Sequence, residues 1–395
     1  MSPRTGSTAR RRCAGALADE LTLRCRPPDP TADTVGQAEA LYRDLLAQLA
    51  AERATPQHLV GESLFLRDIR RDLDLVLAAR ARVLGEDPHG AAAPPPAVIG
   101  QAPLDAAAAL ELAATALVPH RPDTWAVRDL HPEPACPCSG CARSAARLVQ
   151  LGAQTSLHTA NLYGRGESAY TQALDAFAAA ERLLAQAGMS FHDVIRTWLH
   201  LGNIGRDYDA LNQARREFFQ RRGIEPRPAS TGVQGLPVPP EHSVSLRLEA
   251  VQSAQPIERT PISTPTLNEA WSYGADFSRG LRVVDGNAVA LHVSGTASID
   301  EVGRTVHVGD LAAQIDRMLH NIATLLAGQG ASFTDLMSGI IYLARPADAP
   351  ALRERCRAQG FEGFPCVLVE APLCRPDLLC EAEAVAVLPL GSAGA

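Results

Sequence analysis

Three times along the chain, an amphipathic helix pattern runs into a short polar hinge and then into a run of β-branched and aromatic residues. The segments are Tyr42–Ile69 (YRDLLAQLAAERATPQHLVGESLFLRDI), Phe177–Ile204 (FAAAERLLAQAGMSFHDVIRTWLHLGNI) and Ile315–Pro346 (IDRMLHNIATLLAGQGASFTDLMSGIIYLARP). The hinge residues Thr55, Ser190 and Ser332 stand about 140 residues apart, and each precedes a polar turn, as an N-cap should. A second helix pattern follows, as in YDALNQARREFFQRRG and APALRERCRAQG, and an apolar strand closes each copy: AALELAATALV, SVSLRLEAVQ and LLCEAEAVAVLP. A period of this length is one small α/β unit per copy, so the chain must build three equivalent helix-on-sheet layers.

The copies differ most at their openings. The third begins with a plain hairpin, LRVVDGNAVALHVSGTASID, whose strands flank the turn Asp285-Gly286-Asn287. The second, ARLVQLGAQTSL, keeps the strand and Gly152 but little of the turn, and the first offers only DELTLRCRPPDPTADT, so its opening hairpin is expected to be short or lost. These limits divide the chain into a flexible N-terminus (1–19), a degraded first repeat (20–120), a Cys/Pro-rich insertion (121–145), a second repeat (146–255) and a third (256–395) that carries the closing strand of greatest interest.

That strand, within PLCRPDLLCEAEAVAVLP, places Glu381 and Glu383 on one face with Leu379 and Val385, because side chains alternate along a strand. Carboxylates are seldom buried alone. They meet water, meet cations, or stay protonated with a raised pKa, and the last is what an acid catalyst needs. Glu383 is expected to pair with an arginine across a copy interface.

With 46% hydrophobic and 21% charged residues and a net charge of -7, nothing basic enough for nucleic acid dominates. The start MSPRTGSTARRRCAGALADEL has a basic run with no apolar segment after it, so it reads as neither a signal peptide nor a membrane anchor, and the expected location is cytoplasmic. The nine cysteines are then expected as reduced thiols. One cluster, HPEPACPCSGC, brings together His131, Cys136, Cys138 and Cys141, ligand types that suit zinc. Its C-x-C-x-x-C spacing lacks a second distant pair, so the expectation is a proline-rich loop without metal, and no cofactor is expected. His158 and His292 are isolated in sequence and read as structural.

The order hairpin, helix, strand, helix, strand resembles the RidA/YjgF-like (chorismate-mutase-like) fold, whose members are trimers with ligand sites between subunits. Three copies in one chain imply an α/β (α+β) intrachain pseudo-trimer that is monomeric in solution. The resemblance sharpens toward the FkbO-like chorismatases through IRTWLHLGNI with RDYDALNQARREFF, PASTGVQG, SYGADFSRG, VSGTASI, VGDLAAQIDRMLHN and CRPDLLCEAEAV, which together with the strand that closes copy one cover roughly Pro103 to Pro389. It implies release of pyruvate from chorismate in a site between copies two and three, giving a hydroxybenzoate or a dihydroxycyclohexadiene carboxylate.

Position by position, the resemblance implies a catalytic Glu381, with Cys374 and Arg375 lining the pocket. It also implies recognition of the ring carboxylate and nearby oxygens by Tyr273 and Arg279, and a further cation from Arg215 or Arg216. Gly295 of VSGTASI would permit a close backbone approach. The simple RidA deaminases carry a carboxylate-clamping arginine near the start of the penultimate strand, where this chain has Pro96, Ser230 and Cys366. That difference argues against ordinary imine hydrolysis. An enamine/imine deaminase and a non-catalytic small-molecule-binding protein of a biosynthetic pathway remain the alternative readings.

Overall fold

A computed structural model of the chain describes residues 8–85, 93–132 and 144–391. The three hinges form as their sequences require. Thr55, Ser190 and Ser332 each cap a 3-10 turn, and the reciprocal side chains close the caps: the backbone N–H of Ser190 donates to Asp193 Oδ2 (2.9 Å), that of Ser332 to Asp335 Oδ2 (2.8 Å) and that of Thr55 to His58 Nδ1 (3.0 Å). Each cap turns a helix directly into the middle strand of a sheet.

The first sheet contains β1 (Thr8–Cys13), β2 (Ala18–Cys25), β3 (Leu59–Leu66), β4 (Ala97–Ile99) and β5 (Leu110–Pro119), covered by α1 (Thr34–Ala51) and α2 (Ile69–Leu84). The second contains β6 (Trp125–Leu130), β7 (Ala145–Leu151), β8 (Gln154–Ala160), the short β9 (Leu162–Tyr163), β10 (Val194–Leu201), β11 (Ala229–Gln234) and β12 (Val244–Ser253), with α3 (Ala169–Gln186) and α4 (Ile204–Arg222). The third contains β13 (Glu258–Pro261), β14 (Gly280–Val284), β15 (Val289–Ala297), β16 (Leu336–Leu343), β17 (Cys366–Glu370) and β18 (Cys380–Leu388), with α5 (Leu311–Ala327) and α6 (Ala349–Ala358).

Strand order repeats across the three. It runs β1-β2-β5-β3-β4, then β6-β7-β8-β12-β10-β11, then β13-β14-β15-β18-β16-β17, so the closing strand always sits between the opening hairpin and the middle strand. Each sheet packs an apolar core against its own helices, and the third core also takes in Phe65, Ile99 and Leu104 of the first repeat and Val233 of β11. The sheets also bond to one another in turn. Gly100 and Leu236 exchange backbone hydrogen bonds between the first and second, Ser278 N–H donates to the Pro228 carbonyl between the second and third, and Leu104 N–H donates to the Leu368 carbonyl between the third and first. The three layers therefore close into a ring within one chain. Light scattering is expected to give the monomer mass, because the surfaces that a ring of separate subunits would share are already covered.

Two expectations are corrected. The first copy does have an opening hairpin: the arginine run assigned to a flexible N-terminus is β1, paired antiparallel with β2 from Thr8↔Cys25 to Cys13↔Glu20. TARRRC has no apolar alternation to reveal it, because this edge strand is held by polar contacts. Arg10 reaches Gln48 (2.7 Å) and Glu52 (3.0 Å) at the end of α1, and Arg12 pairs with Asp19 (2.7 Å) and Glu52 (3.1 Å). Likewise, part of the stretch expected as an insertion, Trp125–Leu130, is β6, an outer strand of the second sheet paired with β7. The Asp285-Gly286-Asn287 turn forms as expected, with Asp285 Oδ1 accepting from the N–H groups of Asn287 (2.7 Å) and Ala288 (2.9 Å).

Among the described residues no helix is long and apolar enough to cross a membrane, and no group of His, Cys, Asp and Glu is placed to hold a metal. Cys136, Cys138 and Cys141 lie outside the described residues; the His131 carbonyl accepts from Gln186 Nε2 (3.2 Å).

Candidate functional site

β18 lies between β15 and β16, with Glu381 opposite Ala297 on one side and Tyr342 on the other. Glu381 and Glu383 leave the same face of the strand but meet different surroundings. Glu381 opens into a cleft between the second and third sheets, lined by α4 and β11 on one wall and by β15 and the 374–378 turn on the other. Glu383 points into a separate cavity where the three sheets meet.

The cleft gathers Arg215, Arg279, Cys374, Arg375 and Glu381, residues that span more than 160 positions of sequence. Arg215 is the member of the Arg215/Arg216 pair that faces it: Nη1 donates to Ser230 Oγ (3.2 Å) and Nη2 to Asn212 Oδ1 (2.6 Å), with the guanidinium over the Phe277 ring. Arg216 turns outward to the Gly274 carbonyl (2.8 Å). Arg279 is buried, its Nε donating to the Asn268 carbonyl (2.7 Å), and its guanidinium lies 5.7 Å from the centre of the same Phe277 ring. Arg375 is anchored by the Gly303 carbonyl (2.8 Å). Tyr273 ends a 3-10 turn (Ala270–Tyr273), and its side chain lies outside what the structure describes.

Glu381 is 5% exposed, and its pKa is raised to about 8, first by burial and then by Glu383, against the opposing pull of Arg279 and Arg196. Its acid form therefore persists to a higher pH than that of an ordinary glutamate. Cys374 beside it is also held protonated, its thiol pushed up to about 12 by burial, which disfavours a role as nucleophile. The acid is seated by a glycine. A Cβ on Gly295 would stand 2.1 Å from Glu381 Oε1, so the missing side chain is what lets the carboxyl lie against the β15 backbone. The Gly295 N–H is meanwhile tied to Thr231 Oγ1 of the second sheet (3.0 Å).

Glu383 is an ion-pair residue. Its Oε2 accepts from Arg196 Nη2 (2.9 Å) and its Oε1 from Trp198 Nε1 (2.6 Å), both from β10 of the neighbouring sheet. The strand registers also align the penultimate-strand positions. Ser230 pairs with Thr197 and Cys366 with Gly339, while Pro96 precedes Ala97, which pairs with Ser63. No guanidinium issues from any of these strand positions, yet one reaches Ser230 from α4 through Arg215.

Tyr208, Asn212 and Phe277 also line the cleft and were not singled out from sequence. Tyr208, Leu211, Asn212 and Arg215 follow helical spacing, so the face that carries Arg215 was there to be read. A second omission is Glu111. The last leucines of the middle strands pair as Leu343↔Cys380, Leu201↔Val244 and Leu66↔Leu110, which makes Glu381, Ser245 and Glu111 equivalent. Glu111 is fully buried and locked to Arg24, so the first sheet keeps an acid at this place but seals it in an ion pair.

No family model matches the chain. A 3-hydroxybenzoate synthase from Streptomyces hygroscopicus is 30% identical over 244 residues, covering 55% of this chain and 69% of that protein. The 3-aminoacrylate deaminase RutC of Acinetobacter baylyi is 36% identical over 97 residues, 24% of this chain and 77% of that protein. The crystal structure of a chorismatase superposes with a TM-score of 0.59 at 18% identity, covering 84% of this chain and 93% of that one, a likeness of fold.

Proposed function

We propose, from the premise that this chain belongs to the chorismatase family of the 3-hydroxybenzoate synthases, that it releases pyruvate from chorismate and leaves a cyclic acid, with a hydroxybenzoate as the preferred product. The observation that carries this reading is a buried glutamic acid, its pKa raised by that burial, facing a cleft walled by Arg215, Arg279 and Arg375. Chorismate has two carboxylates and an enolpyruvyl ether. Guanidinium groups suit the carboxylates, through paired hydrogen bonds to both oxygens.

The ether is opened by protonation of its terminal methylene carbon. Glu381 delivers that proton, and its new carboxylate faces the oxocarbenium-like carbon that results. Breaking the bond between ring and ether oxygen then yields pyruvate. A hydroxybenzoate forms without net water, whereas the dihydroxycyclohexadiene carboxylate consumes one, so the mass of the cyclic product distinguishes the two. Aromatisation requires loss of a ring proton, which returns Glu381 to its acid form if the carboxylate accepts it.

The test is purified protein with chorismate, pyruvate being followed by a coupled lactate dehydrogenase and the cyclic acid by mass spectrometry. Pyruvate with a hydroxybenzoate is the expected result. No pyruvate, with ammonia released from an imino acid, would replace this reading by a deaminase. Gly295→Ala supplies a sharper check: the added methyl must displace the Glu381 carboxyl, and a shift of that size should lower kcat by about 10²-fold. The thermal midpoint should stay near wild type.

A further inference from the structure

The cavity on the Glu383 side of β18 encloses about 190 Å³ and is lined by all three sheets. Its polar groups are sorted along the ring axis by strand register. Cross-strand pairs Arg196↔Glu249 and Glu249↔His158 define one level, which the third sheet matches with Ser338↔Val385 and Val385↔His292. One same-face step toward the hairpin turns, Glu20 stands opposite Leu117 and Ser156 opposite Val251; a further step reaches Gln154, bonded through Nε2 to Asp285 (2.8 Å). Each step is roughly 6–7 Å.

Two donors of Arg196 without acceptors lie at the first level, and one acceptor without a donor, Gln154 Oε1, at the other end. Arg196 is 1% exposed; its Nη2 serves Thr231 and Glu383, while Nε and Nη1 have no partner among the described residues. Gln154 Oε1 is likewise buried without a donor. Unmatched buried groups of this kind cost stability unless something completes them. The charges limit what that is. Arg196 is balanced by Glu383 and Arg247 by Glu249, and His292 is kept neutral by burial, which leaves Asp285 in excess beside Glu20, a carboxyl that burial and the nearby Glu249 and Asp285 raise to about 7 and that a bound cation would hold ionised. A lone carboxylate would add to that negative end, and a lone amine would leave Arg196 unmet.

We propose that this cavity is a second ligand site for a small zwitterion, its carboxylate on Arg196 Nη1 and its ammonium toward Glu20, Asp285 and Gln154 Oε1. Val60, Ala290 and Val385 supply apolar lining to the cavity. Chorismate, a dianion with no amine, does not match this arrangement.

The test is calorimetric titration of the whole protein at pH 7 with 4-(aminomethyl)benzoate, benzoate and benzylamine. The zwitterion should bind at one per chain, at least ~10-fold more tightly than either half-probe, and should not be displaced by chorismate. Glu20→Gln should reduce its affinity to that of benzoate without changing the thermal midpoint or chorismate turnover. Ala290→Leu, which fills the cavity wall, should abolish its binding. No binding of the zwitterion, equal binding of benzoate, displacement by chorismate, or unchanged affinity in Glu20→Gln would each overturn the proposal.

Discussion

Replacing Glu381 by glutamine should lower pyruvate release from chorismate by at least ~10²-fold, the scale for losing a general acid, with substrate affinity largely retained. Glutamine keeps the size of the side chain and a hydrogen-bonding head but has no proton to give. The wild-type rate should also carry the signature of a raised acid. Since burial lifts Glu381 to about 8, the competent protonated form is present below that pH, and kcat should fall as pH rises through it. The variant should lose that limb along with its rate. A Glu381→Gln enzyme near wild type, or a rate that rises through pH 8, would remove Glu381 from the chemistry.

Glu383→Ala should act through folding. It strips the countercharge from Arg196, which is buried with Nη2 on Glu383, and leaves Trp198 Nε1 without its acceptor. Breaking a buried pair from one side costs about 3–5 kcal/mol, readable as a lower urea midpoint. Removing the charge as well, in Glu383→Ala/Arg196→Leu, should recover part of the loss, since no uncompensated ion remains. A single variant within about 1 kcal/mol of wild type, well below the cost of an orphaned buried charge, would show that Arg196 finds another partner. Turnover per folded molecule should change far less than for Glu381→Gln, although the two carboxylates are neighbours on one strand face.

That contrast marks how far sequence could go. Period-2 alternation put Glu381 and Glu383 on one face, and the capped hinges at Thr55, Ser190 and Ser332 announced three layers. These are local signals, legible without knowing what packs opposite. What separates the two carboxylates is the element across from each: β11 and α4 before Glu381, and the β10 pair Arg196 and Trp198 before Glu383. No periodicity in β18 reports which strand of another sheet lies over which residue. The same limit left Arg215 and Arg216 unresolved until α4 was seated. It hid Glu111, whose equivalence to Glu381 exists only in the pairing of β5 with β3. β1 was missed for another reason: an edge strand of arginines held by the end of α1 has none of the apolar alternation by which strands are found.

The equivalence of Glu381, Ser245 and Glu111 bears on how such a molecule responds to substrate. A ring of identical subunits carries the same cleft three times, and every substitution strikes all three together. Here the three positions have drifted apart, to an acid on an open cleft, a serine, and an acid locked to Arg24. Turnover should then come from a single centre per chain, so rate against chorismate concentration should be hyperbolic with a Hill coefficient of about 1, because one-site saturation leaves no second site to couple to. A tight competitive inhibitor should titrate activity to zero at one equivalent.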